Sequence, residues 1–405
     1  MKVSDDIKFI SKNGKHLIYN YELNKAIFVN SATLNAIKTN NKLHYAELTD
    51  CDFLSQEDIS NLVHHGVIID SLAEYDLLKY SHKLENRNPE VKILAAYFHV
   101  TQMCNLSCSY CYNKENLIKK EVLTSRETEL VLDKLKEVGT GKLILTGGEP
   151  LLRSDIETIV INAKARGFSV EILTNGMLLN KHRNLFELVD SMIVSLDTLD
   201  QATNQRIGLD IPHVLNNLRS IPIENRHKVF VRSVISKSNS DDWKKVKQIV
   251  KDELNIGFIP TMYIPNRIDD INNVIENIDF ETDCDAMNYS GSLCGACYRI
   301  VAIDSNADIY PCQCLIKANL KLTNILKKDW FTELQNSLIT KEFMQLNVLR
   351  YAKCRDCSLK YICGGGCRAI ALNVYKNINA HIEFLCPHQE KMAIEKLEHL
   401  IEMYG

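Results

Sequence analysis

Cys104, Cys108 and Cys111 lie in the run Cys104-Asn105-Leu106-Ser107-Cys108-Ser109-Tyr110-Cys111, directly after an apolar stretch that reads as a buried strand. Cysteines spaced this way on a short loop can fold three thiolates around one face of a cubane iron–sulfur cluster. Full ligation of a cubane takes a fourth thiolate. Three therefore leave one iron open, and an open metal position is where chemistry is done. The plainer reading, a structural zinc loop, lacks a nearby fourth His or Cys to close the metal.

The run fits CxxxCxφC, with Tyr110 as the aromatic φ, and so resembles the radical S-adenosylmethionine superfamily. The resemblance implies that the open iron binds the amino and carboxylate groups of S-adenosylmethionine. Reductive cleavage then gives methionine and a 5′-deoxyadenosyl radical, which abstracts hydrogen from an unactivated carbon. Gly147-Gly148-Glu149-Pro150 follows the second expected strand, and glycines let backbone carbonyls approach a ligand closely. In the resembling enzymes this motif hydrogen-bonds the methionine amino group. Thr174-Asn175-Gly176 and Ser195-Leu196-Asp197 end the third and fourth strands, where those enzymes contact the same ligand. Arg206 would pair with the methionine carboxylate through its fork. Each of these polar residues alone is equally a turn former or a helix cap.

A second set of cysteines lies toward the C-terminus. Cys354, Cys357, Cys363 and Cys367 form CxxCxxxxxCxxxC, with Gly364-Gly365-Gly366 before the last and Cys386 beyond. Cys294, Cys297 and the segment Asp304–Cys312 precede them. The pattern resembles the SPASM domain, with Ala307 where that family usually has glycine. The resemblance implies two auxiliary four-iron clusters beside the radical-generating one. Cys294, Cys297, Cys312 and Cys367 would hold the first, and Cys354, Cys357, Cys363 and Cys386 the second. Cys314 is an alternative ligand to Cys294 or Cys297. Two zinc sites are the competing reading, since CxxC pairs suit zinc as well. Cys51 and Cys284 read as ordinary small buried residues.

The elements that must position these groups follow from the apolar pattern. Near-continuous hydrophobic runs at Ile93–Val100, Leu143–Thr146, Ser169–Thr174, Met192–Leu196, Val229–Ile235 and Phe258–Ile264 predict strands covered on both faces. Helices lie between them. Thr124 with Glu127, and Ser154 with Glu157, read as capping boxes. The fold class expected is α/β, a partial parallel (β/α)6 barrel over 93–283, with function at the carboxyl ends of its strands. Residues 1–80 predict a small winged-helix-like module. Its parts are a hairpin of His16–Tyr21 and Ala26–Val29, a helix capped by Ser31, a helix over Ser55–His65, and a strand Val67–Ile69. Polar residues 81–92 read as a linker, 284–386 as the cysteine-rich domain, and 387–405 as an amphipathic C-terminal helix.

A chain of 405 residues exceeds one ordinary core, and a net charge of -3 gives no broad basic surface for nucleic acid. No apolar run reaches membrane-spanning length, and no signal peptide is read at the N-terminus. Fourteen cysteines then point to metal ligation in the cytoplasm rather than to disulfides. The N-terminal module is similar to the leader-recognition element of enzymes that modify ribosomally made peptides. Strand addition at Ala26–Val29 beside the helix Gln56–His65 is the expected binding mode. The resemblances together imply a peptide maturase forming a thioether or carbon–carbon cross-link, supplied by an external flavodoxin- or ferredoxin-like electron donor. A formylglycine-generating maturase, a peptide epimerase and a non-catalytic iron–sulfur peptide-binding or electron-carrier protein are the alternatives. Gln313, after Cys312, stands where formylglycine-forming enzymes often place an aspartate base.

Overall fold

The computed structural model describes residues 2–39, 55–69, 71, 74–76, 90–118, 122–275 and 294–404. Residues 81–89 of the expected linker 81–92, Cys51 and Cys284 lie outside them. At the N-terminal end, β1 (Lys2–Val3), β2 (Ile7–Lys12), β3 (Lys15–Asn20) and β4 (Lys25–Val29) precede helices α1 (Ser31–Thr39) and α2 (Gln56–His64), and β5 (Ile68–Ile69) follows. The sheet β2-β3-β4 is an antiparallel meander, and β1 pairs with β5. The expected hairpin and helices are present, with two further strands before them, but Asn30 Oδ1, accepting from Thr33 N–H at 2.8 Å, caps α1 in place of Ser31. Asn13 and Gly14, both at positive φ (51° and 77°), make the β2–β3 turn. Asn-Gly between alternating apolar residues is a strong hairpin signal, and it was there to be read.

One face of this sheet packs Ile18 with Leu34, Ile37, Ile59 and Leu62 of α1 and α2. The opposite face lays Ile10, Leu17 and Tyr19 on Leu359, Ala393, Leu397 and Ile401 from the C-terminal part of the chain. Full burial of each such aliphatic side chain is worth about 1.5–3 kcal/mol. The sheet is therefore bound from both sides.

Six apolar runs follow as β6 (Ala95–Thr101), β7 (Lys142–Gly147), β8 (Ser169–Thr174), β9 (Ser191–Ser195), β10 (Val229–Ile235) and β11 (Gly257–Met262). They pair in chain order, all parallel, as the alternation of strands and helices predicts. Crossovers include α3 (Ser125–Glu137), α4 (Ile156–Ala165), α5 (Leu185–Leu188), α6 (Ile211–Arg219) and α7 (Trp243–Gln248). The Thr124–Glu127 capping box is present in full. The one expected from Ser154 and Glu157 is not: Asp155 is the N-cap of α4 and makes no capping bond. Its carboxylate instead takes Arg153 Nε at 2.6 Å and the Ser125 hydroxyl at 2.6 Å. An ion pair has displaced the cap.

The sheet does not stop at β6. Strand β12 (Ile300–Ile303) joins the free side of β6 in parallel, then β13 (Asp308–Tyr310) and β14 (Thr323–Asn324) continue antiparallel, giving nine strands. The cysteine-rich part thus shares hydrogen bonds with the barrel. Ala307, in the β12–β13 turn, has φ 64°, the conformation that favours glycine. Left-handed backbone costs about 1–2 kcal/mol for an L-residue, but this methyl is fully buried and returns about 0.8 kcal/mol. The two magnitudes explain how alanine is tolerated at a glycine position.

Beyond β14 come α8 (Trp330–Asn336), α9 (Leu338–Met344), α10 (Lys360–Cys363), α11 (Arg368–Tyr375) and α12 (Cys386–Tyr404). The last helix begins at Cys386, one residue before the expected start at 387. Among the described residues no helix is long and apolar enough to cross a membrane.

Candidate active site

The three-cysteine loop leaves the carboxyl end of β6 and is clamped from two sides. On one side lie the two glycines after β7. Gly147 has φ 143°, and a Cβ there would collide with the Thr101 carbonyl; a Cβ on Gly148 would collide with the Met103 carbonyl. Gly148 N–H donates to Thr101 O at 2.9 Å and Glu149 N–H to Met103 O at 2.7 Å. In this structure the glycines admit the backbone that leads into Cys104. On the other side, Ser107 N–H donates to Ile207 O and Ser109 N–H to Gln205 O, each at 2.9 Å. Asn175 Nδ2 donates to Asn105 Oδ1 at 2.8 Å and ties the loop to the end of β8.

Glu149 is buried, 1% exposed, and its oxygens accept from Thr174 Oγ1 at 2.7 Å, Asn175 N–H at 2.8 Å and Leu151 N–H at 3.0 Å. Burial raises its carboxyl to about 7, against these hydrogen bonds, which favour the charged form. Pro150 opens the short turn that follows and does not reach the cavity wall. Asp197 also departs from the expected ligand contact. Its oxygens take Arg206 Nε at 2.9 Å, Arg206 Nη2 at 3.2 Å, Val234 N–H at 2.9 Å and the Tyr110 hydroxyl. Arg206 sits 5.5 Å over the Tyr110 ring. Burial opposes its charge, but Asp197 more than compensates and holds it charged. The expected free fork of Arg206 is thus largely spent on Asp197, because two buried ionic groups must satisfy each other.

A cavity of about 230 Å³ opens here, walled by the three cysteines, Gly147, Gly148, Glu149, Asn175, Ser195 and Arg206. Tyr110 shares that wall. Sequence reasoning missed Arg232 of β10, and did not place Gln313 and Cys314 on the same wall. Arg232 pairs in register with Ser195, so the sheet period puts both side chains on one face, a signal legible once β9 and β10 are aligned. Burial raises the thiols of Cys104 and Cys111 and takes that of Cys108 to about 11. The donor set fits an iron–sulfur cluster: soft thiols on one loop, facing one cavity at strand carboxyl ends. When bound, such a cluster supplies an electron and one open iron.

Among the described residues the remaining cysteines fall into two neighbourhoods. Cys312 acts on the thiols of Cys294, Cys297 and Cys367. Cys314 hydrogen-bonds Cys312 and, with burial, raises it far above an ordinary thiol. Cys357, Cys363 and Cys386 raise the thiol of Cys354 in the same way, and Cys357 raises those of Cys363 and Cys386, with burial the larger cause in each. Cys294, Cys297, Cys312 and Cys367, with Cys314, thus make one neighbourhood, and Cys354, Cys357, Cys363 and Cys386 the other. Among the described residues, no three His, Cys, Asp or Glu side chains close on a single metal ion. Thiolates of a cubane bind separate irons and need not meet at one point.

Comparison with known proteins bears on the barrel first. Residues 98–263 match the model of the Radical SAM superfamily. GTP 3′,8-cyclase of Limosilactobacillus fermentum is 31% identical over 182 residues, which is 42% of this chain and 55% of that protein. An S-adenosylmethionine-dependent nucleotide dehydratase of Fibrobacter sp. is 29% identical over 126 residues, 29% of this chain and 38% of its own length. The chain spans about half the length, or less, of these curated relatives. In fold, the chain is similar to Streptococcus suis SuiB bound to S-adenosylmethionine, with TM-score 0.56 and 19% identity over 94% of this chain and 98% of that one. It is also similar to anSMEcpe with bound AdoMet and Cp18Cys peptide, with TM-score 0.61 and 16% identity over 77% of this chain and 99% of that one. The barrel that presents the three-cysteine loop, residues 98–263, is a domain of the radical SAM superfamily.

Proposed function

We propose that this protein is a radical S-adenosylmethionine maturase that oxidatively cross-links a ribosomally made peptide. The observation that carries the reading is the three-cysteine loop clamped at the mouth of a cavity at the strand ends. Cys104, Cys108 and Cys111 would hold the radical-generating cluster. Glu149, Asn175 and Ser195 would line the S-adenosylmethionine site, with Tyr110, Asp197 and Arg206 as one supporting network. One electron breaks the sulfonium carbon–sulfur bond, and the deoxyadenosyl radical takes a hydrogen atom from the peptide. Bond formation then releases a second hydrogen as a proton and an electron. The two C-terminal cysteine groups, read as a SPASM domain with two auxiliary clusters, would accept that electron. A low-potential flavodoxin- or ferredoxin-like donor would supply the first.

Support for a peptide substrate comes from the N-terminal part. Among the described residues β4 is an edge strand of its sheet, and α2 runs beside it, with Lys25 Nζ donating to His64 O at 3.0 Å. Strand addition needs such an edge. SuiB, whose fold extends over both flanks of this barrel, has been solved bound to precursor peptide SuiA, with TM-score 0.51 to this chain. Gln313 on the cavity wall counts against a formylglycine-type reaction, because an amide does not serve as a carboxylate base.

A second reading, action on a nucleotide, rests on the names of the curated relatives, whose matches reach at most 42% of this chain. The deciding experiment incubates anaerobically reconstituted protein with S-adenosylmethionine, reductant and either GTP or precursor peptides encoded beside the gene. A peptide lighter by two hydrogens per modification, with 5′-deoxyadenosine formed, is the expected result. Conversion of GTP with peptides untouched would replace this reading by the second. An unchanged peptide mass with solvent deuterium incorporated would indicate an epimerase.

A further inference from the structure

Arg153, Lys360 and Arg368 carry their charges almost completely buried. Arg153 meets Asp155, and Lys360 meets Glu22. Arg368 meets no carboxylate among the described residues. Its Nη1 donates to Ile378 O at 2.9 Å and Ala380 O at 3.0 Å, its Nε to Gly366 O at 3.3 Å, and its Nη2 to Gly365 O. The guanidinium lies 4.3 Å over the ring of Tyr351, itself fully buried. A Cβ on Gly365 would strike that ring at 2.6 Å, so the glycine is what lets the stack close. Carbonyl dipoles satisfy the donors, but they leave a whole positive charge uncompensated in the interior.

What surrounds that charge is thiol. Arg368 directly follows Cys367, and its backbone N–H donates to the Cys294 sulfur. Burial raises the thiols of Cys294 and Cys354 to about 11 each, and the guanidinium pulls both down. Burial also raises the Tyr351 phenol; Arg368 opposes that rise, and Cys294 and Cys354 add to it. Cys294 belongs to one thiol neighbourhood and Cys354 to the other. Metal-bound thiols are thiolates, so loading both groups would bring the cation the negative charge that its carbonyl shell lacks.

We infer that Arg368, stacked on Tyr351, fixes one positive charge beside both C-terminal cysteine groups and so sets the reduction potential of the clusters proposed for each. The inference rests on the reading of those groups as auxiliary four-iron sites. A buried cation favours the more negative, reduced state of a neighbouring cluster, since local charge and burial are what set its potential. One charge serving two sites raises both potentials together. That suits their proposed part as acceptors of the electron released on bond formation.

The test uses the full-length chain carrying Cys104→Ala, Cys108→Ala and Cys111→Ala, so that iron and paramagnetic signals come from the auxiliary groups alone. This parent and its Arg368→Gln and Arg368→Lys forms are reconstituted anaerobically, and iron is counted. Midpoint potentials are then read by electron paramagnetic resonance during a reductive titration. R368Q should shift the reduction equilibrium of both clusters about tenfold toward the oxidised form, a fall of about 59 mV for one electron. R368K, which keeps the charge, should leave both close to the parent values. Iron retained by R368K but lost from R368Q would support the assignment as well. Iron lost from both would overturn it, by making the shape of the side chain the requirement and not its charge. Unmoved potentials in R368Q, an equal fall in R368K, or a fall confined to one cluster would also overturn it, and would leave the two-cluster reading standing. A parent protein that binds no auxiliary iron would instead remove that reading, and the assignment with it.

Discussion

At the scale of single residues, the site is held by groups that satisfy one another. Asp197 gathers Arg206, the Tyr110 hydroxyl and a backbone N–H, and so joins the cysteine loop to the ends of β9 and β10. Asp197→Asn would strand a buried guanidinium, and the expected cost is about 3–5 kcal/mol, read as a lower denaturation midpoint. A change below about 1 kcal/mol would mean that Arg206 finds another partner. His99, wholly buried under the loop, is held neutral because burial lowers its pKa to about 4. An unfolded histidine titrates near 6.5, so between the two values the unfolded chain binds more protons. The stability contribution is therefore whole above about pH 6.5, drains as pH falls toward 4, and is level below. About 2.5 pH units correspond to roughly 3 kcal/mol. Acid unfolding curves of wild type and His99→Asn should converge over that window, and parallel curves would refute the assignment.

At the scale of elements, the Gly–Gly turn after β7 has a packing duty that its sequence conceals. A methyl on Gly148 meets backbone, the Met103 carbonyl, which no side-chain rotation relieves. Gly148→Ala should displace the cysteine loop and lower reconstituted iron by about one third, if three four-iron sites are present. Full iron with undiminished S-adenosylmethionine cleavage would show that the turn can yield. The parallel strands were legible because each is a continuous apolar run bounded by turn residues, and the site motifs fall at their carboxyl ends. Three things were not. The Ser154 cap lost to an ion pair that forms only when Arg153 and Ser125 are brought to Asp155. Arg232 has no motif around it, and its place on the cavity wall comes from standing beside Ser195 on the next strand. Strand β12 joins β6 across some 200 residues, a pairing no local pattern announces.

At the scale of the whole molecule, the N-terminal sheet is part of the body that carries the cysteines. The buried Lys360 ammonium, on the helix that ends in Cys363, is paired with Glu22 and lies 5.5 Å from the Tyr21 ring. Removing residues 1–80 would therefore uncover Leu359, Leu397 and Ile401 as well as delete any peptide-binding edge. Point changes are cleaner. Glu22→Ala should destabilise by about 3–5 kcal/mol by leaving Lys360 buried and unpaired. Adding Lys360→Met should restore most of the loss, since an apolar replacement of a buried ion pair is often neutral or better. Failure of the double variant to recover, measured by urea denaturation, would assign the bridge a role beyond mutual neutralisation.

The contact of that sheet with α12 also sets a schedule for biosynthesis. Leu17 rests on a surface that includes Ile401, which the ribosome adds 384 residues later. At about 5–20 residues per second the apolar underside of β2 and β3 waits roughly 20–80 s for its cover. Until then the nascent chain carries an open sheet edge and an exposed greasy face together, the combination most prone to wrong partners. The segment that supplies the cover also bears Cys357, Cys363 and Cys386. Docking of the first-made strands and closure of the last thiol neighbourhood are consequently late and concurrent events. Yield of folded protein should then depend on what shields residues 7–20 during that interval, whatever the intrinsic stability of the finished fold.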